Sequence, residues 1–200
     1  MPHPSDAQLP GWQAFMDESE SHRRADPHTY ILAAALIEPN AVDHIREETA
    51  ALRIPGQRKL HWRDESAKRQ ATIAQAIARL DALHLIVVRN GSAGESSERR
   101  RRKCLERMAC ELSHRGVTRI TAESREAKQN ERDMKVFDVL RSSQTISSNL
   151  RLFHEPGPAE PVLWIADAVA GAYVAARTGT PAHFAELGHL VDLVEISASG

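Results

Sequence analysis

Three acidic residues stand where a carboxylate is either costly or well placed to bind a ligand. Asp167 lies in PVLWIADAVAGAYVAARTG, and its helical neighbours three and four positions away are Leu163, Trp164, Ala170 and Gly171, all apolar or small. An ionised acid in such a stripe costs several kcal/mol unless a cation, a metal or several donors compensate it, so Asp167 calls for a partner. Asp17 closes the strand-like WQAFMD, and Glu123 closes VTRITAE in the same manner. Glu18, next to Asp17, projects to the other side if the strand continues. If the two strands are central and parallel, Asp17 and Glu123 emerge at one sheet edge, where the helix carrying Asp167 can close a site.

Three converging carboxylates need positive charge, and magnesium or manganese suits them, because hard cations prefer oxygen ligands. The expected metal ligands are therefore Asp17, Glu123 and Asp167. Zinc is disfavoured: the ten histidines are scattered, and no HExxH or paired CxxC occurs. A two-metal site of this kind would activate water and stabilise a leaving oxygen in phosphodiester cleavage. His61, in KLHWRDE, precedes a helix, where it could shuttle protons or touch a phosphate. Asp64 and Glu65 beside it read as helix-start acids.

The run Arg99, Arg100, Arg101, Arg102 and Lys103 opposes the macrodipole of the helix it opens, and a phosphate partner would relieve that conflict. These five residues are the expected contact with DNA or RNA. The alternative is a solvated face balanced by Glu95, Glu98 and Glu106.

The elements that must position these groups follow from periodicity. Residues 12 to 17 and 29 to 38 read as strands whose short polar link favours an antiparallel pair. Val42, Ile45, Thr49 and Leu52 mark a helix that Ile54-Pro55-Gly56 stops. RKLHW reads as extended. A second helix is expected over 64 to 83, with Ile73, Ile77, Leu80 and Leu83 on one face, followed by the strand HLIVVRNG.

Ser96 or Ser97 caps a helix with Leu105, Met108 and Leu112 inward and Gly116 as its stop. The strand 117 to 124 comes next. A polar helix with Met134, Phe137 and Leu140 inside leads to the strand LRLFHE, the apolar helix after Pro161 and a last strand, VDLVEIS. The pattern is an antiparallel pair followed by alternating helices and strands: an α/β fold with a mixed sheet flanked by helices, in one domain over 11 to 200. Residues 1 to 10, with three prolines, read as a flexible tail.

A chain of 200 residues with 42% hydrophobic content suffices for one aliphatic core, and a formal net charge of −1 makes any basic surface local. Cys104 and Cys110 point apart on one helix and cannot bridge each other, which fits a reducing cytosol. The N-terminal segment lacks the pattern of a secretory signal, and no stretch is long enough to span a bilayer. The protein is accordingly expected to be soluble and cytoplasmic, with no membrane partner.

FMDES, KLHW, TAESR and PVLWIADAVAGA together resemble the family catalogued as domain of unknown function 3800 (DUF3800), over about Phe15 to Ala172. The resemblance implies a ribonuclease-H-like fold and a metal-dependent nuclease or related phosphoryl-transfer enzyme. The family's Asp-Glu-Ser opening, internal histidine and late Ala-Asp map onto Asp17, Glu18, Ser19, His61, Ala166 and Asp167. Two positions depart from the family pattern: Glu20 stands where a glycine often follows, and Leu163-Trp164-Ile165-Ala166-Asp167 replaces Leu-Gln-Ile-Ala-Asp. The nuclease reading therefore makes Asp17, Glu18, His61, Glu123 and Asp167 the catalytic set. The competing readings are a catalytically silent nucleic-acid or protein interaction module using the arginine run, and a serine hydrolase built from Ser19, His61 and Asp167. No GxSxG-like elbow surrounds Ser19 to favour the last.

Overall fold

In the computed structural model, residues 11–20 and 26–197 are described. The expected tail at 1 to 10 and much of the first interstrand link lie outside them. Strands β1 (Gln13–Glu20) and β2 (Thr29–Ile37) pair antiparallel, with Gln13 opposite Ile37. β3 (Leu83–Asn90) continues the meander on the far side of β2. β4 (Arg119–Glu123) and β5 (Arg151–Glu155) extend the other side in parallel, and β6 (Val191–Ser197) pairs parallel to β3. The sheet order is β5-β4-β1-β2-β3-β6. The expected antiparallel pair and mixed sheet are both present.

Every residue of β2 is buried, so the sheet is covered on both faces and alternation merely sorts side chains between two cores. Phe15, Ile31, Ala33 and Val88 face helices α1 (Val42–Ala51), α2 (Ala67–Ile77), α5 (Leu163–Arg177) and α6 (Ala182–Leu187). Ala14, Met16, Leu32 and Val87 face α3 (Ser97–His114) and α4 (Ala127–Ser142). Ser96 caps α3 by accepting from the Arg99 N–H at 3.2 Å, and Gly116 follows its end at φ +73°, as its position after the apolar seam predicts.

Three local readings change. α2 spans Ala67–Ile77 rather than 64 to 83, because a 3-10 turn at Trp62–Asp64 and the Ser66 cap delay its start. At its far end the chain turns after Ala78, so Leu80 packs from a turn and Leu83 opens β3 with its side chain half in solvent. α6 was not expected; Phe184 and Leu187 give it an inner edge against α5.

His84, on β3 opposite Ala35 and Val191, is 2% exposed, and neither ring nitrogen has a hydrogen-bond partner among the described residues. Burial pushes its pKa down to about 4 from an ordinary 6.5, so it is neutral inside the fold. A depressed histidine pKa contributes stability that is fully present above pH 6.5 and is lost as pH falls towards 4. The loss amounts to about 3 kcal/mol at most. Urea unfolding of wild type and His84→Leu between pH 7 and 4 should show this component in the wild type alone; parallel curves would contradict it.

Candidate active site on the α5 face of β1 and β4

The parallel register of β1 and β4 sets Met16 beside Ala122, and one residue further it brings Asp17 alongside Glu123. Alternation assigns both to the face that carries Phe15, which α5 covers. β1 does not end at Asp17, as expected from the sequence, but runs on to Glu20; it is β4 that stops, at Glu123. Asp167 reaches the same place from α5. Asp17, Glu123 and Asp167 thus stand together, and their mutual repulsion is felt at Asp17. Its carboxyl is held well above the usual range by burial first, then by the charges of Asp167 and Glu123, against a 2.8 Å hydrogen bond from the Glu18 N–H and the charge of Lys59.

The segment between α1 and the 3-10 turn supplies the counter-charges. Leu60 is 1% exposed and anchored in the core, which leaves Lys59 and His61 on its two sides free to face the acids. Lys59 Nζ lies 2.6 Å from Glu123 Oε1, and His61 Nδ1 lies 3.1 Å from Asp167 Oδ2. The same Asp167 oxygen accepts the Trp62 N–H at 2.7 Å. Gly171, one turn further along α5, leaves room for the Trp62 indole beside this bond; a Cβ there would collide with the ring. The hydrogen bond to Asp167 raises the His61 pKa against the opposing effect of burial. Lys59 is likewise raised: burial disfavours its charge, but Glu123 outweighs that, with help from Asp17 and Asp167.

Lys59 is the principal residue that sequence reading missed. The signal was available in KLHW, where an apolar residue between a lysine and a histidine sends both cations to one side of an extended segment.

Glu18 points to the opposite face, as alternation requires. Its Oε2 accepts from Arg101 Nε at 2.5 Å, and Arg101 also binds Asp133, a buried acid of α4. Arg125 Nη2 lies 3.2 Å from Asp133, and His154 Nε2 lies 3.4 Å from it. Burial works against the Asp133 carboxylate, but the hydrogen bond with His154 and the charges of Arg101 and Arg125 hold its pKa below the usual range. Glu18 therefore belongs to a second network, separated by the sheet from Asp17.

The arginine run does not form one surface. Arg101 turns inward, Arg99 pairs with Glu95 at 3.6 Å, and Arg102 pairs with Glu106 at 2.9 Å. Lys103 also faces Glu106, at 3.8 Å, and Arg100 donates to the Glu95 carbonyl at 2.7 Å. A helix winds consecutive residues around its axis, so five adjacent cations spread out: Arg99 and Arg102 find acids four residues away, Lys103 one three away, and Arg101 distant acids across the fold. Ser19 lines the cleft, but no hydrogen bond joins it to His61 among the described residues.

A cleft of about 1440 Å³ extends from His61 and Asp167 past Glu18 and Tyr30 to Arg101 and Arg125. A smaller hollow of about 190 Å³ at the strand ends is shared by Asp17, Glu123, Arg101 and Arg125. The cleft thus has an acidic wall and, across from it, a wall of guanidinium groups paired with Glu18 and Asp133.

Each of the three carboxylates gives one oxygen to a protein donor, and the other oxygen has no protein donor among the described residues. Free carboxylate oxygens beside a repelled Asp17 fit a hard divalent cation in donor type and in charge. Asp17 and Asp167 are the residues that would hold it. The expected ligand set of all three acids is not formed: no three His, Cys, Asp or Glu side chains among the described residues are placed to share one ion, and Lys59 occupies one oxygen of Glu123.

No family model matches the chain, and no curated protein matches it. Among solved structures, ribonuclease HII of Archaeoglobus fulgidus, in a complex with PCNA, is similar over 82% of this chain and 73% of its own, at 12% identity and a TM-score of 0.50. Bst-RNase HIII in complex with Mn2+ is similar over 85% of this chain, at 15% identity and a TM-score of 0.51, and this chain spans 54% of its length. The likeness establishes a ribonuclease-H-like fold, as expected. No helix among the described residues is long and apolar enough to cross a membrane.

Replacing Arg101 by Met should destabilise the protein by about 3–5 kcal/mol, because Glu18 and Asp133 lose the cation between them. Chemical denaturation measures this directly; a change below about 1 kcal/mol would show the network to be dispensable.

Proposed function

We propose that the chain is a divalent-metal-dependent nuclease that hydrolyses phosphodiester bonds in DNA or RNA, and that its affinity lies with the DUF3800 family its motifs resemble. The observation that carries this reading is the gathering of Asp17, Glu123 and Asp167 on one sheet face, with the Asp17 pKa raised by burial and by the other two acids, and one oxygen of each acid free of protein donors among the described residues. The ribonuclease-H-like fold supports it, and so does the manganese bound to Bst-RNase HIII. The cleft also supports it: at about 1440 Å³ it exceeds the roughly 300–1,000 Å³ of small-ligand pockets and suits a polymer.

Asp17 and Asp167 would hold magnesium or manganese, which when bound supplies Lewis acidity to the phosphoryl oxygen and lowers the pKa of water. Asp167 keeps His61 oriented through Nδ1, leaving Nε2 to give a proton to a leaving oxygen. The Trp62 N–H fixes the Asp167 rotamer at its other contact, so that the acid stays put as charge changes around it. Arg101 and Arg125 line the far side of the cleft, where guanidinium groups held in place by Glu18 and Asp133 offer donors to a nucleic-acid backbone lying across the acids. Burial works against the Arg101 charge, but Glu18 and Asp133 beside it outweigh that and keep it charged throughout.

Asp167→Asn keeps an oxygen to accept the Trp62 N–H but removes the negative charge. It should lower cleavage of single- and double-stranded DNA and RNA substrates by at least about 100-fold with Mg2+ or Mn2+. Circular dichroism should be unchanged. Failure of the wild type to cleave any of these substrates with either metal would overturn the proposal. Salt-sensitive binding that survives both chelation and Asp17→Asn would point instead to an interaction module.

A further inference from the structure

The contact between Lys59 and Glu123 is built into the fold. Both side chains are more than two-thirds buried, and Nζ lies 2.6 Å from Oε1. Beneath them is Gly157, in the loop from β5 to α5. A Cβ added at Gly157 would collide with the Glu123 carboxylate and come within 3.1 Å of Lys59 Nζ, so the pair fills a space that only a glycine leaves open. That loop is itself fixed, because the Trp164 indole donates to the Gly157 carbonyl at 2.8 Å. On the other side, Leu60 anchors the chain next to Lys59. A mobile surface lysine has neither support.

The charges then decide what else the site can accept. Three carboxylates carry at most three negative charges, and the Lys59 ammonium at Glu123, with His61 at Asp167, offsets part of that, so the site cannot balance two divalent cations. A second ion would need Glu123, one oxygen of which the ammonium already holds, and at the other it would face the repulsion of a fixed positive charge at close range. Lysine suits this role because its charge is compact, much as a metal ion's is.

Resting on the metal-dependent reading above, we infer that Lys59 takes the place of a second divalent cation at Glu123, so that the site binds one ion per chain, at Asp17 and Asp167. The two-ion arrangement expected from the acids alone is thereby reduced to one ion and one ammonium. Lys59 acts as a positioning residue for Glu123 and sets the metal count.

The count can be read without any substrate. Titration of the metal-free full chain with Mn2+, followed by calorimetry and by the electron paramagnetic resonance of free Mn2+, should give one ion per wild-type chain. Lys59→Met and Lys59→Gln, each removing the charge, should both take two ions, with the spin-coupled signal of a close pair. Circular dichroism confirms that each variant is folded, and either variant alone suffices. Two ions in the wild type, or a count that stays at one in a folded variant, would overturn the inference while leaving a metal-dependent nuclease intact. Mn2+ binding by neither the wild type nor the variants would overturn the metal-dependent reading itself, and this inference with it.

Discussion

Holding three like charges on one face of a buried sheet is the constraint from which the rest of the architecture follows. Asp17 and Glu123 are brought side by side by backbone pairing, which leaves neither acid free to withdraw. Relief has to come from outside the strands, and it comes through α5. On one face of that helix, Trp164 fixes the Gly157 loop under Glu123, Asp167 meets His61 and the Trp62 backbone, and Gly171 seats the Trp62 ring. The spacing of these three residues, 164, 167 and 171, is that of a helical stripe, so a single element sets the geometry around every acid in the site.

The sheet divides the polar residues into two groups with different electrostatic character. On the α5 face, acids outnumber cations, and Asp17 registers the excess. On the other face, Glu18, Arg101, Asp133 and Arg125 balance charge for charge and are largely removed from water. A balanced, buried network is rigid and costly to disturb, whereas an unbalanced one invites a ligand. The cleft opens across the boundary between the two, so whatever enters it meets an acidic wall with unmet demand and a charge-balanced wall whose guanidinium groups are already oriented.

Much of this was legible in the sequence because it depends on local pattern. The apolar neighbours of Asp167 marked it without any knowledge of the fold, and an acid after an apolar strand run marked Asp17 and Glu123, although only β4 ends there. Their adjacency required only that β1 and β4 be parallel neighbours. What was not legible depends on contacts between distant segments. Asp133 looks like any polar residue of a hydrophilic helix until Arg101 is seen to reach it. The arginine run looks uniform in one dimension, yet the helical turn gives Arg101 and Arg102 opposite fates. Lys59 pairs with a residue 64 positions away, and nothing near it in sequence names that partner. The length of α2 was misjudged because an apolar period carries on into a turn as readily as into a helix.

Asp17 and Glu18 have one more consequence, for the alignment of the strand itself. Ala14, Phe15 and Met16 are all buried, so sliding β1 by one residue would still leave apolar groups on both sides, and hydrophobicity alone cannot forbid it. The two consecutive acids can. A slip would send the shorter side chain towards Arg101 and the longer one into the crowded ground between Glu123 and Asp167, breaking a buried ion pair on one side and adding bulk on the other. The residues proposed to serve chemistry thus also act as a ratchet tooth, fixing the strand at the one place where greasy packing leaves it free to shift.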